Sequence, residues 1–574
     1  MGTRSGRWMM AGAVALAAAP RLWAVADTVE VQPGRFGFDA QLGLLVVAMT
    51  GQEANAQWPG EKVALDADGL FIFDGPVQDL ATGTRYAAAG PDGEEVAVYF
   101  TGLPLIQMFT DSEVVDEPKV PGRFDMWSHD QVISQYQVGM EYRGGSSQAL
   151  PKKSFLIEFR QDSDHQVTRD VSLLGMRSDD DWNLDAMSIE PLRLRSVIAQ
   201  ELWMDIHQPY YAFLEPNAQS GVHRVFAELF FNGSYRGLYA VGERVDRKQL
   251  QLKKFNGSQR GALFKGIAWG GSTFTSIPPP FGEGDQEWGG FRVEYPDEEP
   301  DWAALSDLVS FVVTSDDDAF MDGIGQRFYM ANAVDYFLFL NLLQAEDNTG
   351  KNIFIARYKE GEPWFYVPWD LDGILGLGWN GALSEPSPWF LSNGLYDRWI
   401  EDLSWNGFRH AHCERWWELR QDRFTVGSIM QRFTARHAQL AQSGVYEREE
   451  MAWPDYVYDP GQLAYMEQWL GEKLALLDAG MEQTCAVLGM QEQAGRQRAL
   501  VFPNPAAGST IVRFNGGTAD MRIHVADLLG QQVMDVPFTG PETRLDLSHL
   551  ARGTYLVTVL HGGLRVASTA LVVN

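Results

Sequence analysis

Residues 331–376 constrain this chain more than any other stretch. Residues 331–345 form a dense apolar helix pattern, with Val334, Leu338 and Leu342 spaced four apart. The pattern runs straight into Glu346-Asp347-Asn348-Thr349-Gly350-Lys351-Asn352. A strand-like run at 353–358, a turn at 359–363 and a second run at 364–369 follow, ending in Asp370-Leu371-Asp372-Gly373. A helix end thus delivers an aspartate and an asparagine five apart, and a hairpin returns the chain to an aspartate followed closely by glycine. The same composition also suits a plain turn whose carboxylates cap helices.

The D-x-x-x-x-N spacing has a mechanical meaning. In a protein-kinase catalytic loop the aspartate accepts the proton of the attacking hydroxyl and the asparagine helps hold magnesium. A later aspartate before a glycine holds the metal, a role for which Asp370 and Asp372 compete here. No H-R-D, A-P-E or G-x-G-x-x-G motif accompanies them. Upstream, a strand-like run at 138–143 leads into Gly144-Gly145-Ser146-Ser147, then Pro151-Lys152-Lys153-Ser154 and a run at 155–159. Such a loop either brings N–H groups to a phosphate or simply turns a hairpin. The lysine is placed either to pair with phosphate or as a solvated edge residue. Runs at 227–231 and 235–241 around Asn232-Gly233-Ser234 read as a hairpin ending at Gly242-Glu243-Arg244, where a kinase has the hinge that holds adenine.

Four blocks carry a more specific signal: EYRGGSSQALPKKSFLIEF, LLGMRSDDDWNLDAMSIEPLRLRSVIAQEL, ELFFNGSYRGLYAVGERV and EDNTGKNIFIARYKEGEPWFYVPWDLDG. In content and order they resemble the CotH spore coat kinase family. The resemblance implies an atypical protein-kinase-like, two-lobed α+β core that phosphorylates Ser or Thr of a protein substrate with ATP and Mg²⁺ or Mn²⁺. It implies Asp347 as the catalytic aspartate, Asn352 and Asp370 as metal ligands, and Lys152 or Lys153 as the phosphate-contacting lysine. Arg143, Gly144, Gly145 and Glu243 complete the implied nucleotide-contacting set. The chain departs from the family where S-D-K-S-L-M-R-N is usual: it has 189–196 as IEPLRLRS, so Glu190 and Ser196 replace Asp and Asn while Arg195 is kept. Glu201 on the following helix is our choice for the lysine's ion-pair partner.

Length and composition set the frame. At 574 residues the chain holds about three or four domains. The reading is a signal peptide at 1–26, a β-rich region at 27–125, the kinase-like domain at 126–490, a linker at 491–499 and a small all-β sandwich at 500–574. Arg4 and Arg7, an apolar run too short for a bilayer, and Ala24-Val25-Ala26 form the signal-peptide pattern. No later stretch approaches ~20 apolar residues, so no transmembrane segment is expected in the mature chain. A net charge of −30 argues against a nucleic-acid partner. The glycine- and proline-rich stretch 266–290 reads as a loop or insertion. Cys413 and Cys485 could form one bridge or be two buried thiols, and we read them as thiols.

The last module resembles the C-terminal sorting domain of type IX secretion substrates. The resemblance rests on Pro503-Asn504-Pro505, Asp527-Leu528-Leu529-Gly530 and Leu550-Ala551-Arg552-Gly553-Thr554-Tyr555. It implies the type IX machinery as a partner and a secreted or outer-surface location; a fibronectin-like accessory domain has a similar strand pattern. Two other functions compete with the kinase. One is a catalytically silent surface protein whose Trp269, Trp288, Trp364, Trp379 and Trp389 contact polysaccharide or protein. The other is a hydrolase using Asp370 and Asp372 with Asp347.

Overall fold

The computed structural model describes residues 27–162, 167–256, 260–282, 284–297, 299–404, 406–486, 488, 499–514, 521–527, 530–538, 540–561 and 564–574. The signal-peptide reading at 1–26 and the linker at 491–498 lie outside them. So do Gly516-Gly517, Leu528-Leu529 and Gly562-Gly563.

The first β layer is a seven-stranded sheet that begins at Thr28–Glu30 and ends at Glu95–Thr101. Its strand Leu44–Ala48 is buried throughout and pairs in parallel with Glu95–Thr101, the continuous apolar run expected of a strand covered on both faces. The next strand, Leu105–Phe109, already belongs to a second assembly. This is a closed seven-stranded barrel built from Leu105–Phe109, Val120–Trp127, Val132–Arg143, Ser154–Arg160, Asp181–Asp185, Arg224–Phe231 and Ser234–Gly242. The boundary expected at 125/126 therefore cuts through the barrel strand Val120–Trp127. Inward alternation supplies the barrel core: Val138 and Met140 face Phe155, Ile157 and Phe159, with Trp182 and Tyr239 among them. Asn232 and Gly233 both take positive φ, 49° and 77°, as a two-residue hairpin of this handedness requires.

The third assembly is a five-stranded sheet in the order Glu287–Trp288, Phe291–Tyr295, Ala262–Gly266, Ile353–Arg357, Trp364–Pro368. It packs with the helices Trp302–Thr314, Met330–Leu343, Phe408–Leu419 and Gly461–Ala486 around the largest core. Met330–Leu343 is buried from Asn332 to Leu343, the all-round apolar pattern of a central helix. The stretch 266–290 is anchored rather than loose: Phe274 is in the core, and Trp288 donates from Nε1 to the Pro279 carbonyl at 2.7 Å.

The cysteines overturn the thiol reading. Cys413 and Cys485 form a disulfide that joins the Phe408–Leu419 and Gly461–Ala486 helices, with Cα atoms 6.0 Å apart. Residues 499–574 form a separate all-β unit, a three-stranded and a four-stranded sheet sharing Val512, Ile523, Val557 and Leu571. The chain is thus mixed α and β with an all-β C-terminal region. Among the described residues no helix is long and apolar enough to cross a membrane.

Candidate active site

The central helix ends at Gln344, whose φ of 54° is left-handed, the usual way a helix terminates. The chain then makes the 3₁₀ turn Glu346–Thr349 and reaches Asn352 at the start of the Ile353–Arg357 strand. Asn348 pins this turn down. Its buried side-chain amide donates to the carbonyls of Asn352 and Trp369, each at 2.7 Å. Its own carbonyl accepts from the Tyr336 hydroxyl at 2.9 Å. Ile353 pairs with Pro368 across the hairpin, so Asn352 leaves it beside Trp369, the residue before Asp370. Asn352 Nδ2 faces Asp347 Oδ2 at 3.5 Å, and Lys351 Nζ lies 3.8 Å from the same oxygen. Asn352 and Asp370 both hold positive φ, 54° and 55°. Asn and Asp tolerate this region better than most residues, and it persists where the surroundings impose it.

The facing wall comes from the barrel. Arg143, Asp185 and Arg224 stand at strand ends. Arg224 donates to Asp185 at 2.6 Å and to Ser196 Oγ at 3.1 Å. The guanidinium groups of Arg143 and Arg224 lie 5.4 and 5.7 Å from the ring of Trp369, the residue before Asp370. Lys265, on Ala262–Gly266, adds a third cation from the other sheet. Asp370 is exposed to solvent on one side although protein crowds it on the other. That crowding pushes its carboxyl above the usual range and Asp185 adds to the rise, against the pull of Arg143, Lys265 and Arg224. Asp372 is pushed up further by burial, Asp370 and Asp185. Asp185 itself stays below the usual range because Arg224 and Arg143 outweigh its burial. Burial lowers both Arg143 and Lys265. Carboxylates that repel one another beside three cations make a site suited to a divalent ion with a polyanion.

The two lysines diverge. Lys152 is buried, donates at 2.5 Å to the Leu238 carbonyl and to Glu449 Oε1, and lies 4.8 Å from the Tyr239 ring. Burial pushes its ammonium down to about 7 despite Glu449. Lys153 Nζ donates to the Gln148 carbonyl inside the glycine-rich loop. The partner of Lys152 is therefore Glu449, on the Val445–Ala452 helix, and not Glu201, which pairs with Arg436 at 2.7 Å. Gly144 has φ 110°, and open space surrounds the position of a Cβ at Gly145, so this loop leaves room for a ligand. Glu243 does not face the cleft. It is buried, and its carboxylate accepts from the backbone N–H groups of His223 at 2.9 Å and Arg177 at 3.2 Å. Its carbonyl accepts from Asn183 at 3.2 Å. With every group engaged, Glu243 braces the strand end and offers nothing to adenine.

The substituted block keeps its architecture. Glu190 pairs with Arg195 at 2.5 Å, and Arg195 Nε donates to the Ile374 carbonyl at 3.1 Å. From the same helix, Arg195–Ile206, Gln200 Nε2 donates to the Pro368 carbonyl at 3.2 Å. The helix thus grips the Asp370 loop on both sides. Of the five tryptophans considered as contact residues, Trp288 and Trp364 are core at 7% and 3% exposure, while Trp269, Trp379 and Trp389 are open to solvent.

Asp185, Arg224, Lys265, Asn348 and Glu449 were not among the expected residues. Asp185, Arg224, Lys265 and Glu449 are joined to their neighbours from distant parts of the chain, whereas Asn348 lies between Asp347 and Asn352 and was passed over although its partner Asn352 is only four residues away. Residues 140–477 match the family model described as CotH kinase protein, and residues 500–574 match the one described as secretion system C-terminal sorting domain. No curated protein matches the chain. The sorting domain marks a secreted or outer-surface protein that engages the type IX machinery.

Proposed function

This chain belongs to the CotH kinase protein family, and on that premise we propose that it is an atypical protein kinase transferring the γ-phosphoryl group of ATP to a Ser or Thr hydroxyl of a protein. The observation that carries the reading is the Asn348 clamp, which ties the Asp347 turn to the Asp370 loop. We take the barrel with the Arg195–Ile206 helix as one lobe and the five-stranded sheet with its helices as the other.

The residues fit the implied groups. Asp370 and Asn352, with Asp372 and Asp185 nearby, are the hard oxygen donors that Mg²⁺ or Mn²⁺ takes. Bound there, the ion would neutralise charge on the β- and γ-phosphates. Arg143, Arg224 and Lys265 supply the positive charge a triphosphate needs, and the Gly144-Gly145 backbone has room to approach it. Asp347 would accept the hydroxyl proton at its carboxylate while the Ser or Thr oxygen bonds to the γ-phosphorus and the bond from that phosphorus to the bridging oxygen breaks, releasing ADP. Asn352 orients the Asp347 carboxylate. The test is the exported form incubated with labelled ATP, Mn²⁺ or Mg²⁺, and casein. Metal-dependent label on casein or on the chain itself is expected.

A second reading, surface binding without transfer, is favoured by the inward pairing of Lys152 and by the three exposed tryptophans. Absence of both ATP binding and transfer would make it the better one.

A further inference from the structure

We propose that the turn 177–180 is a proton-operated latch on the chain's crossing from the barrel to the five-stranded sheet, shut in acid and slackening as pH rises. The latch does not depend on the kinase reading.

The last barrel strand ends at Gly242, and the next strand along the chain to join the five-stranded sheet begins at Ala262. Residues 243–261 make the crossing, and their first part is riveted to the barrel side. The Arg177 backbone N–H donates to Glu243 Oε1 at 3.2 Å. Its guanidinium donates to the Arg244 carbonyl at 3.2 Å and to Asp246 Oδ2 at 3.1 Å, and pairs with Asp179. Lys248 reaches back from the crossing: its ammonium lies 2.7 Å from Asp180, 2.8 Å from Asp179 and 3.1 Å from Asp170. It stands where these three carboxylates converge, so the chain's own cation closes the cluster. The turn is fixed in turn by a short hairpin, in which Val171 faces Asp179, and by Trp182 Nε1 donating to the Asp179 carbonyl at 3.1 Å. Toward the sheet the crossing is held more loosely. Arg244 lies 3.8 Å from Glu294, and the Arg247 guanidinium lies 5.9 Å from the Tyr295 ring. A main-chain bond follows at Lys253, whose N–H donates to the Tyr358 carbonyl at 3.0 Å. Tight fastening on one side and loose fastening on the other place a pivot at 244–252. Movement there changes how closely Arg143 and Arg224, on the barrel, approach Asp370.

Charge makes the latch sensitive to protons. Asp170, Asp179, Asp180 and Asp246 face only Arg177 and Lys248 as cations, and Glu243 adds another carboxylate 3.9 Å from Arg177 Nε. The excess of negative charge falls on Asp179, which is 2% exposed. Burial, the neighbouring Asp246 and a hydrogen bond with Asp180 push its carboxyl up to about 7 against the pull of Arg177. Protonated, Asp179 meets Asp246 through a hydrogen bond; ionised, it meets a like charge. With the turn detached and solvated, Asp179 returns to the ordinary 3.8. The shut form therefore holds the proton more tightly than the open form. Its advantage is complete below 3.8 and is lost as pH rises through about 7.

Amide hydrogen exchange of the full exported chain tests this, read by mass spectrometry without ATP at about pH 5.5 and about pH 8, with intrinsic rates corrected. Amides of 244–252 should lose about tenfold or more of their protection at the higher pH. Those of Leu44–Ala48, in the first sheet, should keep theirs. Asp246→Asn should keep the crossing protected at both pH values, because its amide donates to ionised Asp179 and still accepts from Gln249 N, as Asp246 does at 2.6 Å. Arg177→Gln should leave the crossing unprotected at both, with folding verified by circular dichroism. A parent whose protection is the same at both pH values overturns the proposal, as does pH dependence that persists in Asp246→Asn. Loss of protection at Leu44–Ala48 in step with the crossing also overturns it, since that is global unfolding. If the crossing responds as expected in a chain that neither binds ATP nor transfers phosphate, the latch stands and the kinase reading falls.

Discussion

The two sides of the cleft treat charge in opposite ways. On the side closed by the Val445–Ala452 helix, Lys152 and Arg193 share Glu449 at 2.5 and 3.0 Å, and Arg448 meets Glu228 at 2.6 Å. These groups are buried and mutually satisfied. On the Asp370 side, Asp370 and Asp372 are left without an ion pair among the described residues, and two loop residues hold positive φ. Ion pairs sealed from water repay their desolvation only by precise pairing, and so serve to lock elements together. Carboxylates crowded together without partners raise one another's affinity for protons and cations, and so serve to bind. Of the two lysines put forward from the sequence, Lys152 lies on the locking side.

The largest test of this contrast is catalytic. Asp347→Asn should lower transfer by about 10²–10⁴-fold with ATP affinity nearly unchanged, since proton acceptance matters only as the hydroxyl attacks. Asp370→Asn should weaken Mn²⁺-dependent ATP binding as well, measured by calorimetry, because it removes a charged donor. If the two variants behave alike, the division of roles within the open side is wrong. On the closed side, Lys152→Ala should cost about 3–5 kcal/mol of stability in urea titration, because it strips a buried carboxylate of a partner. Lys153→Ala, whose lysine reaches only a loop carbonyl, should cost under about 1 kcal/mol. A Lys152→Ala protein as stable as the parent but unable to bind ATP would move Lys152 to the binding side.

Removing the disulfide tests the helical body that both sides rest on. Its ends are 72 residues apart, for which chain entropy predicts a loss of about 4 kcal/mol in Cys413→Ser with Cys485→Ser. Thermal unfolding with and without reductant reads it. A pH-dependent effect belongs to a group that is buried yet unpaired. His412 lies among Phe337 and Phe408, its ring nitrogens without hydrogen-bond partners, and burial lowers it from 6.5 to about 3. The unfolded chain therefore takes up a proton below 6.5 that the folded chain refuses until about 3. Stability should fall as pH drops through that window, by up to roughly 3 kcal/mol at pH 4. His412→Phe should flatten the profile; a parallel profile would assign the acid sensitivity elsewhere.

The Asp347 turn and the hairpin after it were legible because their logic is local. The helix read at 331–345 is Met330–Leu343, and the runs at 353–358 and 364–369 are Ile353–Arg357 and Trp364–Pro368. Periodicity and turn residues within fifty positions carry that information. The same holds for the C-terminal unit, whose runs at 511–514 and 521–525 appear as Ser509–Arg513 and Met521–Ala526. The closed barrel was not legible, since closure depends on Leu105–Phe109 meeting Arg224–Phe231 in parallel across more than a hundred residues. Nor was the bridge, because two cysteines in a sequence carry no distance.

The sequence by itself therefore determined the family, the order of its parts, the secreted or outer-surface destination and the triad Asp347, Asn352 and Asp370 as a set worth testing. Tertiary structure alone decided which charges are sealed and which are open. It joined Lys152 to Glu449, turned Glu243 inward, buried Trp288 and Trp364 while leaving Trp379 and Trp389 in water, and set Arg143, Arg224 and Lys265 around Asp370. The physical reason is that periodicity and turn chemistry act between near neighbours along the chain, whereas desolvation and Coulomb interaction depend on what the fold places within a few ångströms, however far apart in sequence.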